Sequence, residues 1–205
     1  GQPNGVTLFM PGAAGLLQTN FLYNAAAKDG TAIGLLYDSM PTAQVLEAGQ
    51  NIKFDARQFG TLGSLNKGET GLVGILKRAG VASVEEARQK QSVFGATGTG
   101  GGQYTVPHIM NQLFGTRFKL IPGFKTTAEI YLAMERGETH GMATGVWFDL
   151  TRERADWVKE KKVSVLFQIS LIRTTDLTEV PALPQLAEGG DNQKILELLA
   201  STEDM

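Results

Sequence analysis

The chain has 205 residues, enough for one domain or two small lobes, and its 42% hydrophobic and 20% charged residues are ordinary for a globular fold. A net charge of −2, with no basic stretch denser than "KEKK" (Lys159–Lys162), argues against a nucleic-acid surface, and no apolar run approaches the roughly 18–20 residues that span a bilayer. The absence of cysteine excludes disulfides, thiolate nucleophiles and cysteine metal sites, and fits either the cytosol or the periplasm.

The opening "GQPNG" is not a signal peptide, so any such signal has been removed or lies outside this sequence. "VTLFM" (Val6–Met10) predicts a buried strand, ended by the Pro11–Gly12 turn. In "AAGLLQTNFLYNAAA", Leu16, Leu17, Phe21 and Leu22 recur at helical spacing, and "KDG" (Lys28–Gly30) closes that helix. "TAIGLLY" (Thr31–Tyr37) predicts the next strand, and a short helix follows from Pro41 to Ala48 with Gly49 beyond its end. "FGTLGSL" and "TGLVGIL" read as two further glycine-dotted strands.

"SVEE" (Ser83–Glu86) is a capping box that opens a helix, with Ser83 as cap and Glu86 reaching back. Val93–Thr97 predicts a strand, followed by a glycine loop and a helix to Phe114 with Gly115 as its left-handed stop. "FKLIP" (Phe118–Pro122) is a strand, and "TTAE" (Thr126–Glu129) is a second capping box whose helix runs to Gly137. "GMATGV" predicts a short strand, Phe148 to Lys161 is mostly helical, and "VSVLFQI" (Val163–Ile169) is another strand. "EVPALPQLAE" then leads to a last helix around Gln193–Ala200.

Strands alternating with helices predict βαβ units, a mainly parallel sheet and an α/β fold, with no fixed-period repeat. In such folds ligands sit at the carboxyl ends of strands, which directs attention to the loops after Tyr37, Thr97 and Pro122.

Five of the eight residues from Gly95 to Gly102 are glycine. A dinucleotide fingerprint fails there: Gln103 stands where the third glycine belongs, and no acidic residue follows about twenty positions on. A phosphate-binding P-loop fails too, because Gln103-Tyr104 replaces its Lys-Ser/Thr. What remains is a helix N-terminus with free backbone N–H groups and the Thr97 and Thr99 hydroxyls beside it, which suits an anion such as a carboxylate. The competing reading is a glycine turn required only for close packing.

Catalytic chemistry lacks a candidate nucleophile or base. His108 and His140 are the only histidines, too few for most metal or relay sites, and no G-x-S-x-G elbow or H-E-x-x-H pair is present. No catalytic residue, metal ligand or cofactor is assigned. Asp38-Ser39 follows a strand, where Ser39 either caps the next helix or offers its hydroxyl to a ligand. Lys125 precedes the Thr126 cap and meets either an anion or solvent, and Trp147 either walls a pocket or joins the core.

Together these segments resemble the substrate-binding proteins of tripartite tricarboxylate transporters, the Bug receptors. "MPGAAGLLQTNFLYNAAAKDGTAIGLL" is similar to the family's strand, P-G-A-G-G helix and following strand. "FGATGTGGGQYTVPHIMNQLFG" resembles its Y-G-S-S-G-x-G loop and helix, and "LIPGFKTTAEIYLAMERGETHGM" its V-P-Y-K-G segment, helix and turn. "LTEVPALPQLAE" resembles its "L-P-D-V-P-T-x-x-E" segment.

The resemblance implies a type 2 periplasmic-binding-protein-like α/β fold: two lobes with mixed, mainly parallel sheets, residues 1–76 and 166–205 forming lobe 1 and residues 77–165 lobe 2. It implies a non-enzymatic, periplasmic receptor that closes over a small carboxylate ligand and delivers it to membrane permease subunits, itself not membrane-embedded. Ligand contacts carried over fall on Asp38 and Ser39 in the first lobe. In the second they fall on Thr97, Gly98, Thr99, Gly100 and Gly101, with Phe124, Lys125, Thr126 and Trp147 beside them. Thr97 and Thr99 replace the usual serine and asparagine, and the family's aspartate near the end of "MATGV" is absent. Relative to the family pattern the chain is expected to be truncated at both ends, without a first strand and its loop, and so to hold an incomplete pocket unless those parts come from elsewhere. The alternatives are an α/β enzyme using the Gly98–Gly102 loop for a phosphorylated cofactor, and a ligand-sensing domain.

Overall fold

The computed structural model describes residues 4–37, 39–46, 51–63 and 70–201. Its centre is a five-stranded sheet in the order β3-β2-β4-β1-β5. The strands are β1 (Gly71–Leu76), β2 (Ser92–Ala96), β3 (Phe118–Pro122), β4 (Gly141–Val146) and β5 (Val163–Ile169). β2 is parallel to β3 and β4, whereas β1 lies antiparallel between β4 and β5, so every strand but β1 shares one direction.

Alternation along the strands assigns their side chains to two faces. Val73, Ile75, Phe94 and Phe167 point to one face, where α3 (Val84–Gln89), α4 (Gly102–Phe114) and α8 (Gly190–Ala200) cover them with Val84, Val106, Met110 and Leu196. Leu76 and Met142 point to the other, covered by Ile130, Tyr131 and Met134 of α5 (Thr127–Arg136), Leu150 of α6 (Trp147–Glu153) and Trp157 of α7 (Ala155–Lys159). A separate small cluster of Leu16, Met40 and Phe54 joins α1 (Leu16–Asn24) to α2 (Met40–Leu46).

The helix signals act as their chemistry requires. Ser83 Oγ accepts from the Glu86 N–H at 3.2 Å while the Glu86 carboxylate accepts from Ala82 N–H at 2.7 Å. Thr126 and Glu129 repeat the pattern at 3.3 Å, with Glu129 accepting from Lys125 N–H at 2.9 Å. In both boxes the glutamate reaches one residue before the cap. Gly115 and Gly137 end α4 and α5 in the left-handed conformation. At its far end α5 is tied to the turn after β1, because the Arg78 guanidinium donates to the carbonyls of Met134 and Glu135.

Three expected strands do not form. Residues 6–10, 31–37 and 59–63 form no strand; 64 and 65, the rest of the third stretch, lie outside the described residues. The reason is the missing neighbour: a strand needs a ladder partner, and among the described residues none lies beside these segments. Val6 is 94% exposed and Ile33 76%. The expected end of the short helix at Ala48 and Gly49 also lies outside the described residues.

Candidate functional site

The carboxyl ends of β2 and β4 open onto a cavity of about 430 Å³. α4 starts on its wall: Gly101 is the N-cap residue, no side chain caps the helix there, and the Tyr104 N–H donates to the Gly101 carbonyl at 2.9 Å, so among the described residues the Gly102 and Gln103 amides are the ones left to an occupant of the cavity. α5 starts on the same wall, through Thr126, Thr127 and Ala128. Two helix N-termini therefore converge on one space, and their dipoles favour negative charge.

Gln103 holds this arrangement together. Its Oε1 accepts from the Thr97 N–H at 3.0 Å and from the Thr97 hydroxyl at 3.1 Å, and its Nε2 donates to the Thr127 hydroxyl at 3.2 Å. The link fixes the β2 end, the α4 start and the α5 start relative to one another. It also engages the Thr97 hydroxyl as a donor, leaving it only its accepting lone pairs toward a ligand.

The glycine loop has two jobs. Gly100, Gly101 and Gly102 line the cavity. Gly98 instead lies against the backbone before α1: a Cβ there would come within 2.9 Å of the Ala14 nitrogen and 3.0 Å of the Ala13 carbonyl carbon. Thr99 and Gly100 border a second cavity of about 340 Å³, on the side of Leu16, Asn20 and Lys53.

The opposite walls complete the first cavity. Tyr37, Ser39, Thr42 and Ala43 contribute from around α2, and Ile169 and Leu199 from β5 and α8. The backbone carbonyl of Ser39 accepts from the Thr42 hydroxyl at 2.9 Å and the Ala43 N–H at 2.8 Å, which fixes the start of α2. Asp149 and Glu153 on α6 line the cavity, as do Tyr131 and Thr144; among the described lining residues there is no lysine, arginine or histidine. Tyr131 is 3% exposed, and burial, reinforced by the Asp149 and Glu153 charges, pushes its hydroxyl pKa up to about 12, so the group stays a neutral phenol. Thr144 occupies the left-handed region at φ 53°, unusual for a β-branched residue.

Of the residues singled out from the sequence, Ser39, Thr97, Gly100, Gly101 and Thr126 lie on the walls of this cavity. Thr99 borders the second cavity and Gly98 packs beneath the loop. Phe124 and Trp147 are not lining residues and pack against the α5–α7 core, while Lys125 is exposed beside the Thr126 cap. Asp38 lies outside the described residues. His108 stacks on Tyr104 at 5.8 Å on α4, and His140 joins β4 to β2, both away from the lining. Sequence reasoning missed Gln103, which it used only to reject nucleotide motifs. It also missed Asp149 and Glu153, whose i,i+4 spacing after a strand end was the available signal. Among the described residues no group of three or more His, Asp or Glu side chains could hold a metal ion, and no helix is long and apolar enough to cross a membrane.

No protein-family model matches the sequence, and no curated protein matches it. Solved structures do match in fold. A periplasmic transporter superposes with a TM-score of 0.66 at 16% identity, over 91% of this chain and 60% of its own. The periplasmic binding protein BugD gives 0.60 at 16% identity, over 94% of this chain and 69% of its own. A TctC solute-binding protein from Polaromonas gives 0.47 at 17% identity, over 66% and 52%. The chain thus spans about 60% of the length of the periplasmic transporter it matches. The α/β fold expected from the sequence resemblance is the fold it shares with these periplasmic binding proteins.

Proposed function

We propose that this chain is part of an extracytoplasmic solute-binding protein that captures a small carboxylate-containing metabolite for a tripartite tricarboxylate-type transporter. The observation that carries the reading is the pair of helix N-termini, α4 and α5, opening together onto a cavity whose glycine wall lets backbone amides approach an anion. The fold shared with BugD supports it. The cavity is lined by residues between 14 and 43, between 97 and 153, and by Ile169 and Leu199. That distribution fits a ligand that draws the segment around α2 against the α4 and α5 starts. Asp38 and Ser39 would face the Thr97–Gly101 loop, with Phe124–Thr126 and Trp147 at its margin. The function is binding without chemistry: a periplasmic receptor whose closed state the permease subunits distinguish from the empty one.

The test is a melting-temperature screen of the intact protein against mono- and dicarboxylates of graded length. A ligand that binds the folded state alone raises the melting temperature by mass action. No shift with any carboxylate, or stabilisation by nucleotides instead, overturns the reading.

A further inference from the structure

In a regular strand Thr144 would share a face with Met142, on the α5 side of the sheet. It does not. Ala143 packs on the opposite side, in the core that α4 covers. Gly145 lies on the α5 side, where a Cβ would be 3.3 Å from Met142 Cε and 3.6 Å from the Tyr131 hydroxyl oxygen. Between them Thr144 is the extra residue of a β4 bulge, and its φ of 53° turns the side chain over the start of α4. A Cβ on Gly102 would be 2.7 Å from the Thr144 methyl carbon and 3.9 Å from its hydroxyl oxygen.

The bulge has a cost and a destination. A β-branched residue in the left-handed region is strained, and such strain persists where the surrounding structure holds it, often beside a ligand. The side chain delivered in this way lines the 430 Å³ cavity and is half-buried, and its hydroxyl makes no hydrogen bond among the described residues. Two other hydroxyls on the wall have already spent their protons: Thr97 donates to Gln103 and Thr42 to the Ser39 carbonyl. Thr144 keeps its proton for an occupant, beside the first amides of α4.

We propose that Thr144 is a ligand-contacting residue: the bulge holds its hydroxyl where it donates a hydrogen bond to the anion bound at the start of α4. This rests on the receptor reading above and assigns one of its contacts to a side chain that strand periodicity would have sent to the other face. Backbone amides at a helix end attract anions with little regard to shape, whereas a hydroxyl held at one position rewards an acceptor placed opposite it. The strain is then the means by which β4, whose strand direction points past α4, presents a donor to that site.

Calorimetric titration of the intact protein with acetate, succinate, glutarate and adipate tests it on three variants. Thr144→Val keeps the methyl over Gly102 and loses the hydroxyl, Thr144→Ser does the reverse, and Thr144→Gly loses both while freeing the backbone. For the acid that the wild type binds tightest, Thr144→Val and Thr144→Gly are expected to bind about ten- to a hundredfold more weakly, and Thr144→Ser within about threefold. The melting temperature of each unliganded variant checks its folding. Glycine accepts the left-handed conformation without strain, so Thr144→Gly decides even if Thr144→Val fails to fold. Binding as tight as the wild type's in Thr144→Gly or in a folded Thr144→Val overturns this inference and leaves the receptor reading standing. A folded Thr144→Ser that loses as much affinity as Thr144→Val does the same, because it assigns the effect to the methyl. Binding of none of the four acids by the wild type overturns both.

Discussion

The imidazole of His140 accepts a hydrogen bond at Nδ1 from the Val93 N–H at 3.1 Å, which requires that nitrogen to be unprotonated. Burial holds its pKa below the ordinary 6.5, and the Arg78 and Lys90 charges act in the same direction. The folded state therefore binds fewer protons than the unfolded one just below pH 6.5, so stability falls as the pH drops through that value toward the lowered folded pKa. Urea unfolding midpoints at about pH 7.5 and 5 are expected to differ less in His140→Asn, which keeps an acceptor but does not titrate, than in the wild type. An equal difference in the two proteins would remove His140 as the cause. Thr144 poses a different problem at this scale. Where Leu72↔Gly145 gives way to Gly74↔Met142, two residues of β4, Ala143 and Thr144, oppose the single Val73 of β1, and Thr144 takes the left-handed conformation in that bulge. A side chain there costs about 1–2 kcal/mol, and glycine would give back about 0.5–1 kcal/mol in chain entropy. Thr144→Gly is thus expected to raise stability by about 0.5–1 kcal/mol, read from the urea midpoint. A loss instead would mean that the contact of the threonine methyl with Gly102 outweighs the strain.

Between elements, the glycine loop and the backbone ahead of α1 meet without slack. Added methyl groups at Gly98 or Gly101 would collide with Ala13 and Ala14, both themselves at positive φ, and no flexible side chain can yield. Gly98→Ala is expected to cost about 1–3 kcal/mol in chemical denaturation, whereas Gly60→Ala, where a Cβ meets nothing within 4 Å, stays within about 0.5 kcal/mol. Similar values for the two would show that the loop is free to shift away from Ala13 and Ala14. This packing was legible from the sequence only as one of two readings of a glycine run: close packing is seen at Gly98, while Gly100, Gly101 and Gly102 line the cavity. The capping boxes and left-handed stops were legible because their chemistry is local: Ser83 with Glu86, Thr126 with Glu129, and Gly115 and Gly137 at helix ends. The stretches around Val6 and Ile33 were misread because their apolar patterning records a preference for pairing, while the partner that would make them strands is not recorded locally. Gln103 was misread for a similar reason: its bonds to Thr97 and Thr127 span 6 and 24 residues, beyond any window that capping rules inspect.

At the scale of the whole molecule the question is which parts of the chain a ligand would join. The cavity draws its walls from chain segments far apart in sequence: Ser39, Thr42 and Ala43 on one side, Thr97 and Gly100–Gln103 on another, and Ile169 and Leu199 behind. A ligand that bridges these walls must slow the local opening of more than one of them, since each opening would break contacts with it. At a concentration about a hundredfold above Kd, mass action adds about 2.7 kcal/mol of stability, and for a protein of this size that raises the melting temperature by roughly 5–10 °C. Amide exchange locates where that energy is expressed. With a stabilising carboxylate bound to the intact protein, amides at the start of α2, in the Thr97–Gln103 loop and at the start of α5 are expected to gain protection together. The Leu16–Asn24 helix, which borders the second cavity instead, is expected to gain less. Protection confined to the glycine loop would show an anion resting on one helix end, and it would sink the picture of two facing walls closing on a ligand, because closure requires that the α2 side respond as strongly as the α4 side.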